Sequence, residues 1–182
     1  ASQLNGTPVS GRAGLVTDPQ SLSGLALSKT GDLSVSGGLL TVEKELLLDA
    51  QGGNVLLQGA QIQAAAISVS GERIVQNGGS LNASTPGGTA PAAAGGTVSV
   101  QATSQLQASG EVSAKGTGEQ AKGGTIELTA PAVSLTGAQV DASGGGGGGA
   151  VRIGGGYQGS ALNQGGSNAT STSVDATTTV RA

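Results

Sequence analysis

Cysteine, histidine, tryptophan, phenylalanine and methionine are all missing from this chain of 182 residues, and its single aromatic is Tyr157. Without cysteine there is no disulfide or thiolate chemistry, which fits an extracellular bacterial protein as well as a cytosolic one. Without histidine or cysteine, Ser-His-Asp and Cys-His sites are excluded. An ordinary domain of this length fills the gaps of its core with aromatics and methionines. Here Val, Leu, Ile and Ala must suffice, and small uniform side chains suit a thin core of regular cross-section.

Charge is equally scarce. Eight Lys plus Arg stand against eleven Asp plus Glu, a net charge of −3. The cations are scattered singly, with no basic stripe and no aromatic platforms, so nucleic acid is not an expected partner. No apolar run reaches the ~18 residues that a membrane helix needs, and membrane insertion is not expected. The longest candidate, residues 39–50, carries Glu43, Lys44 and Glu45 in its middle. No signal peptide is visible, and a start at Ala1 is compatible with a processed terminus or a chosen boundary.

Glycine, by contrast, supplies 35 residues. That is far above the usual ~7% and, together with abundant Ser, Thr, Gln and Asn, raises the alternative of a low-complexity linker. The apolar pattern argues against it. No sustained helical stripe is present apart from residues 40–50, a possible short helix. Short alternating triplets recur instead: Leu33-Ser-Val35, Val98-Ser-Val100, Ile126-Glu-Leu128, Val133-Ser-Leu135, Val140-Asp-Ala142 and Val151-Arg-Ile153. Alternation with a period of two buries one face of a strand and wets the other.

The triplets are spaced by roughly seven residues, at Leu33, Leu40, Leu47, Val55, Ile62, Ile67, Ile74 and Leu81. Three short strands and three tight corners then complete a turn in about 20 residues, a solenoid signature. Two later segments lie side by side. Between residues 95–116 and 123–144, Val98 matches Ile126, Val100 matches Leu128, Gln107-Ala108 falls near Val133 to Leu135, and Val112 matches Val140. A third copy opens at Gly148, and each copy begins with Gly-Gly. The expected fold is all-β, a right-handed parallel β-helix of triangular section with about 20–28 residues per coil. Its inward side chains stack like upon like, and Gly and Asn at corners tolerate φ > 0.

Extra residues at 84–96, 115–124 and 143–149 all fall before the first strand of a coil, which predicts Gly-rich loops stacked along one corner. A larger excursion, 154–173, leaves after the first strand of the last full coil. The chain is read as one β-helix segment over 1–182. Coils are less sharply defined over 1–95, where residues 91–94 are an ambiguous strand, and regular over 96–153; a motif loop fills 154–173 and further strands 174–182. About eight coils make a rod roughly 40 Å long. Strands still in progress at Val174-Asp-Ala and Thr179-Val-Arg, together with two open ends, suggest a fragment of something longer or copies stacked end to end.

The run GGAVRIGGGYQGS followed by NATSTSVDA, residues 148–176, resembles the GG-x-V-x-IGG-x-YQG…NA-x-T-x-V pattern of large two-partner-secretion exoproteins, the filamentous-haemagglutinin-like family. The preceding IELTAPAVSLTGAQVDASG is also similar to that family's coils. Two positions depart from the pattern: Gly156 stands at a usually acidic site, and Ser173 where an aromatic usually precedes the valine. The resemblance implies a secreted Gram-negative protein, exported through an outer-membrane secretion partner and presented at the cell surface. It implies a shaft for adhesion, aggregation or biofilm-matrix contact, with cell-surface or matrix glycans as candidate partners.

No catalytic constellation is read from the sequence, no cofactor or metal site is expected, and the chain is not expected to be an enzyme. Glu127 and Asp141 are the carboxylates best placed to approach one another on the outside of the helix, although a sugar cleft would normally add aromatic platforms. The glycine run 144–149 lacks the Lys-Ser/Thr ending of a phosphate loop and the repeated Asp of a calcium turn, and reads as a flexible loop. Tyr157, with Gln158 beside it, is either a local lid over the Gly-rich edge or a contact for a partner. Asn82-Ala-Ser84 and Asn168-Ala-Thr170 fit the glycosylation pattern. An ice-binding array would need a long Thr-x-Thr face, and Thr177 to Thr179 is too short for one.

Overall fold

The computed structural model describes residues 3–5, 22–83, 93–156, 158, 160 and 168–182. Among them there are sixteen strands and no helix. Every strand pairing between consecutive coils is parallel, and together the strands wind a three-sided parallel β-helix of six coils. The described residues thus make six coils where about eight were expected; residues 6–21 and 84–92 lie outside the described residues.

Each side of the helix is a ladder of six strands. The first side stacks β2 (Leu22–Thr30), the second part of β4 (Leu39–Gln51), the first parts of β7 (Ala66–Asn77) and β9 (Thr97–Ala108), then β11 (Thr125–Thr129) and β14 (Ala150–Ile153). The second stacks β3 (Leu33–Ser36), β5 (Val55–Gln58), the later parts of β7 and β9, β12 (Ala132–Leu135) and β15 (Ser171–Val174). The third stacks the opening residues of β4, β6 (Gln61–Ala64), β8 (Ser80–Ala83), β10 (Glu111–Ser113), β13 (Gln139–Asp141) and β16 (Thr179–Arg181). At one end β1 (Gln3–Asn5) adds to β3 in the antiparallel sense. Six coils at ~4.8 Å between neighbours make a rod of roughly 24 Å.

Period-two alternation explains the core. On the first side the inward pairs run Leu46/Leu48, Ile67/Val69, Val98/Val100 and Ile126/Leu128, each aligned with the pair below and all buried. Val98, Ile126 and Val151 are vertical neighbours, as the repeat predicts. The third side contributes one inward column, Leu40, Ile62, Leu81, Val112, Val140 and Val180. Where that side turns into the next coil, Ala64, Ala83, Ala114 and Ala142 are fully buried, a corner packed with methyl groups. Full burial of one Val, Leu or Ile contributes about 1.5–3 kcal/mol, so each coil adds several such increments to a core too narrow for rings.

Two readings of the sequence are corrected. Residues 40–50 are not helical: they form β4, held by pairing with β2, β6 and β7 on different sides. Leu47 is not an inward residue, because the core takes its neighbours Leu46 and Leu48 and leaves Leu47 half-buried on the outside. Gln107-Ala108 does fall beside Val133 to Leu135, as expected: Gln107 pairs with Ser134, Ala108 with Leu135, and Leu106 completes the match opposite Val133.

The Gly-Gly that opens each later coil has a steric cause. A Cβ on Gly96 would overlap the Ala65 carbonyl oxygen, one on Gly124 that of Gly96, and one on Gly149 that of Gly124. The backbones of successive coils touch along this corner, and only glycine permits the approach.

Candidate functional site

With the core inside, the chain offers three outward faces, one corner of stacked loops and one excursion. Short hydrogen-bonding side chains fill most outward positions. On the first side, Asp49 Oδ1 accepts from the Ser70 hydroxyl above it (2.8 Å), and Gln51 Nε2 donates to the Ser28 hydroxyl of the coil below (3.0 Å). On the third side Gln63, Asn82, Ser113, Asp141 and Arg181 form one outward column.

Glu127 and Asp141 are not a catalytic pair. They lie on different sides, on β11 and β13, and each is tied to its own cation. Arg152 Nη1 donates to Glu127 Oε1 at 2.8 Å, over a glutamate side chain only 9% exposed. Lys115 Nζ lies 3.1 Å from Asp141 Oδ2, while the Ser143 hydroxyl and backbone N–H donate to Asp141 Oδ1 (2.6 and 2.9 Å). Partial burial pushes the Asp141 carboxyl upward, but the Ser143 and Lys115 contacts outweigh it and hold it below its ordinary value. Beside it, Glu111, Lys115, Gln139 and Arg181 line a shallow depression of mixed charge.

Among the described residues, the loops that precede the first side lie on one another, as their common phase predicts. Ala93 and Thr117 form an antiparallel bridge, Lys122 and Gly147 a parallel one, and the Gly116 N–H donates to the Ser143 carbonyl (2.9 Å). The glycine run 144–149 is a packed layer rather than a free loop. Side chains on Gly145 or Gly146 would strike the backbone of residues 118–120, and the Gly146 N–H donates to the buried Ala121 (2.9 Å).

The excursion leaves after β14 and returns before β15, at the expected place. Its two ends are clasped. The Gly156 N–H donates to Asn168 Oδ1 (3.1 Å), the Ala169 N–H to the Gly154 carbonyl, and a Cβ on Gly155 would overlap Asn168 Oδ1. Thr170 Oγ1 donates to the Pro131 carbonyl (2.9 Å). The IGG and NA-x-T pieces of the motif therefore close a neck, and both hydrogen-bonding residues of the Asn168 sequon are engaged in it. Asn82 of the other sequon is half-buried on β8, while its Ser84 lies outside the described residues. So does Tyr157; Gln158 is exposed, with a left-handed φ of 53°.

No family model, curated protein or solved structure matches this chain. Its own chemistry has to carry the argument.

Sequence reasoning missed two polar devices at the corner between the second and third sides. Gln76 occupies an inward, buried position and donates from Nε2 to the Glu111 carbonyl of the next coil (3.1 Å). Nothing in alternation marks it, because a glutamine at an inward position reads as a break in the pattern. Asp175 closes the same corner in the sixth coil. It accepts from the Gly137 N–H (3.0 Å), from both Thr178 groups (2.9 and 2.7 Å) and from the Thr177 hydroxyl (2.7 Å). The Gly137 contact, then those of Thr178 and Thr177, hold its carboxyl far below the usual carboxylate range. An Asp followed closely by two threonines is a local turn signature that was there to be read.

Proposed function

We propose that this chain is a length of secreted adhesive shaft, exported through an outer-membrane partner and displayed on a Gram-negative surface. In this reading its outward faces and stacked corner contact other cells or matrix polysaccharide. The observation that carries it is the division of labour in each coil: an interior that is aliphatic apart from Gln76, and an exterior mostly of Ser, Thr, Asn, Gln and ion-paired side chains, repeating every ~4.8 Å. A flat repeating polar lattice matches a repeating polymer or another cell's glycans at many weak points, and multiplicity converts weak contacts into avidity. The clasped neck supports the same reading, since it fixes both ends of the excursion to the β-helix.

The purified chain, coated on beads, is to be tested for retention of bacterial cells and matrix polysaccharide against beads bearing an unrelated β-protein. Retention that rises steeply with coating density supports the proposal. Retention equal to the control at every density overturns it.

A second reading, a filament subunit, is favoured by one feature. Val174 and Val180 continue the inward columns of the sixth coil yet are 48% and 45% exposed, so a coil laid upon them would bury apolar surface and satisfy edge hydrogen bonds. Electron microscopy separates the two: regular fibres support assembly, and discrete short rods over a wide concentration range exclude it.

A further inference from the structure

We infer that Asn77-Gly78, at the corner between the second and third sides, is a latent site of spontaneous deamidation, and that Ser109 on the coil above holds it closed. Asn77 ends β7 with its side chain exposed to water, and Gly78 turns the corner with φ +67°. Nothing lies within 4 Å of where a Gly78 side chain would project, so no neighbour shields that flank of the peptide. The asparagines at 54, 82, 163 and 168 precede Val, Ala, Gln and Ala, whose side chains crowd the attacking nitrogen. Asn5-Gly6 is the one other Asn-Gly pair in the sequence.

The chemistry needs only the chain and water. The Gly78 backbone nitrogen attacks Asn77 Cγ, forming an N–Cγ bond; the Cγ–Nδ2 bond breaks, and the departing amide takes the Gly78 proton and leaves as ammonia. Water then opens the five-membered imide at either carbonyl, giving aspartate or isoaspartate. Either product adds a negative charge, and isoaspartate also inserts the side-chain methylene into the main chain. At this corner the insertion would displace the Gly59 N–H from the Asn77 carbonyl (3.0 Å) and the Glu111 N–H from the Gly79 carbonyl (3.0 Å), which link three successive coils.

Ring closure requires the Asn77-Gly78 peptide plane to swing toward its own side chain, and the structure bolts that plane on both edges. From below, the Gly59 N–H holds the Asn77 carbonyl. From above, Ser109 Oγ accepts the Gly78 N–H (3.3 Å) while its hydroxyl donates to the Gln76 carbonyl (3.2 Å). The Ser109 N–H also donates to that carbonyl (2.9 Å), which fixes where the hydroxyl sits. Reaction therefore waits for local opening of this corner.

The test follows the amide-to-acid conversion of each asparagine by peptide mass spectrometry, with the full chain held at neutral pH either folded or in denaturant. In denaturant Asn77 and Asn5 are expected to convert at similar rates, in wild type and variants alike. In the folded chain Asn77 is expected to slow sharply. Ser109→Ala should then speed it at least about fivefold, the weight of the one neutral hydrogen bond to the Gly78 N–H, and more where the bond to the Gln76 carbonyl also counts, while Ser109→Thr keeps the protection. Hydrogen exchange at the Ile126 amide, in another part of the core, monitors global opening. Conversion of Asn77 as fast in the folded wild type as in denaturant would overturn the inference. So would an unchanged folded rate in Ser109→Ala, or an acceleration that merely tracks exchange at Ile126.

Discussion

Replacing Gly124 by alanine sets two physical effects of opposite sign against each other. Gly124 does not lie in the left-handed region, so the backbone itself would accept alanine. On conformational entropy alone the change would stabilise the protein by about 0.4–1 kcal/mol, through a less flexible unfolded chain. The stacked corner reverses this. The new Cβ would overlap the Gly96 oxygen and lie 2.6 Å from the Gly95 carbonyl carbon, both main-chain atoms of the coil below. The obstacle cannot rotate away as a side chain would, and the Gly96 oxygen is already the acceptor of the Thr125 N–H (2.9 Å). Overpacking typically costs about 1–3 kcal/mol and occasionally more, and a lost backbone hydrogen bond adds about 1 kcal/mol. After the entropic gain is subtracted, Gly124→Ala should therefore destabilise the fold by about 1–3.6 kcal/mol, toward the upper end because the obstacle is main chain. Gly59→Ala is the reference, because Gly59 has φ +62° but open space around it. It should cost only the left-handed penalty of about 1–2 kcal/mol. Urea unfolding followed by far-ultraviolet circular dichroism reads both, with the comparison valid where the slope m is unchanged. A Gly124→Ala protein as stable as wild type, or no less stable than Gly59→Ala, would refute the claim that coil backbones touch at this corner.

Three further outcomes are expected. Because Asp175 is held far below the unfolded carboxyl value near ~4, its contribution is complete above that value and is lost as pH falls below it toward the folded value. The melting temperature should accordingly decline below about pH 4, and Asp175→Asn should flatten part of that decline. Asn168→Ala removes the acceptor of the Gly156 N–H, so limited proteolysis should cut within the excursion several times faster while the urea midpoint moves by no more than ~1 kcal/mol equivalent. Arg152→Ala strands the nearly buried Glu127 carboxylate without its cation, and should cost more than the Arg152→Ala, Glu127→Gln double variant in the same urea titration.

Much of the fold was legible because a solenoid repeats its physics. Of the eight apolar positions spaced by about seven residues, Leu33, Val55 and Ile74 stack on the second side, and Leu40, Ile62 and Leu81 on the third. Leu47 failed because three consecutive leucines satisfy either phase of an alternating strand, and only pairing with Ile67 and Val69 decides that Leu46 and Leu48 face inward. The helical alternative for 40–50 failed for a related reason: a strand that bends around a corner loses its period of two at the bend. The outside was far less legible. Glu127 finds Arg152 25 residues away, and Asp141 finds Lys115 26 residues before it, because stacking brings equivalent positions of adjacent coils together. Gln76 and Ser109 likewise matter only through the coils above and below them.

Composition and spacing by themselves determined that this chain winds a narrow aliphatic coil, where its loops gather and where its excursion departs. These are properties of one repeat and its neighbours, set by side-chain size and by alternation. The vertical partners were decided only by the tertiary structure: which glycine must pass under which carbonyl, which carboxylate meets which cation, which asparagine clasps the neck. The reason is that a partner one coil away sits about 5 Å off in space yet 19 to 40 residues off along the chain, a distance that each inserted loop resets.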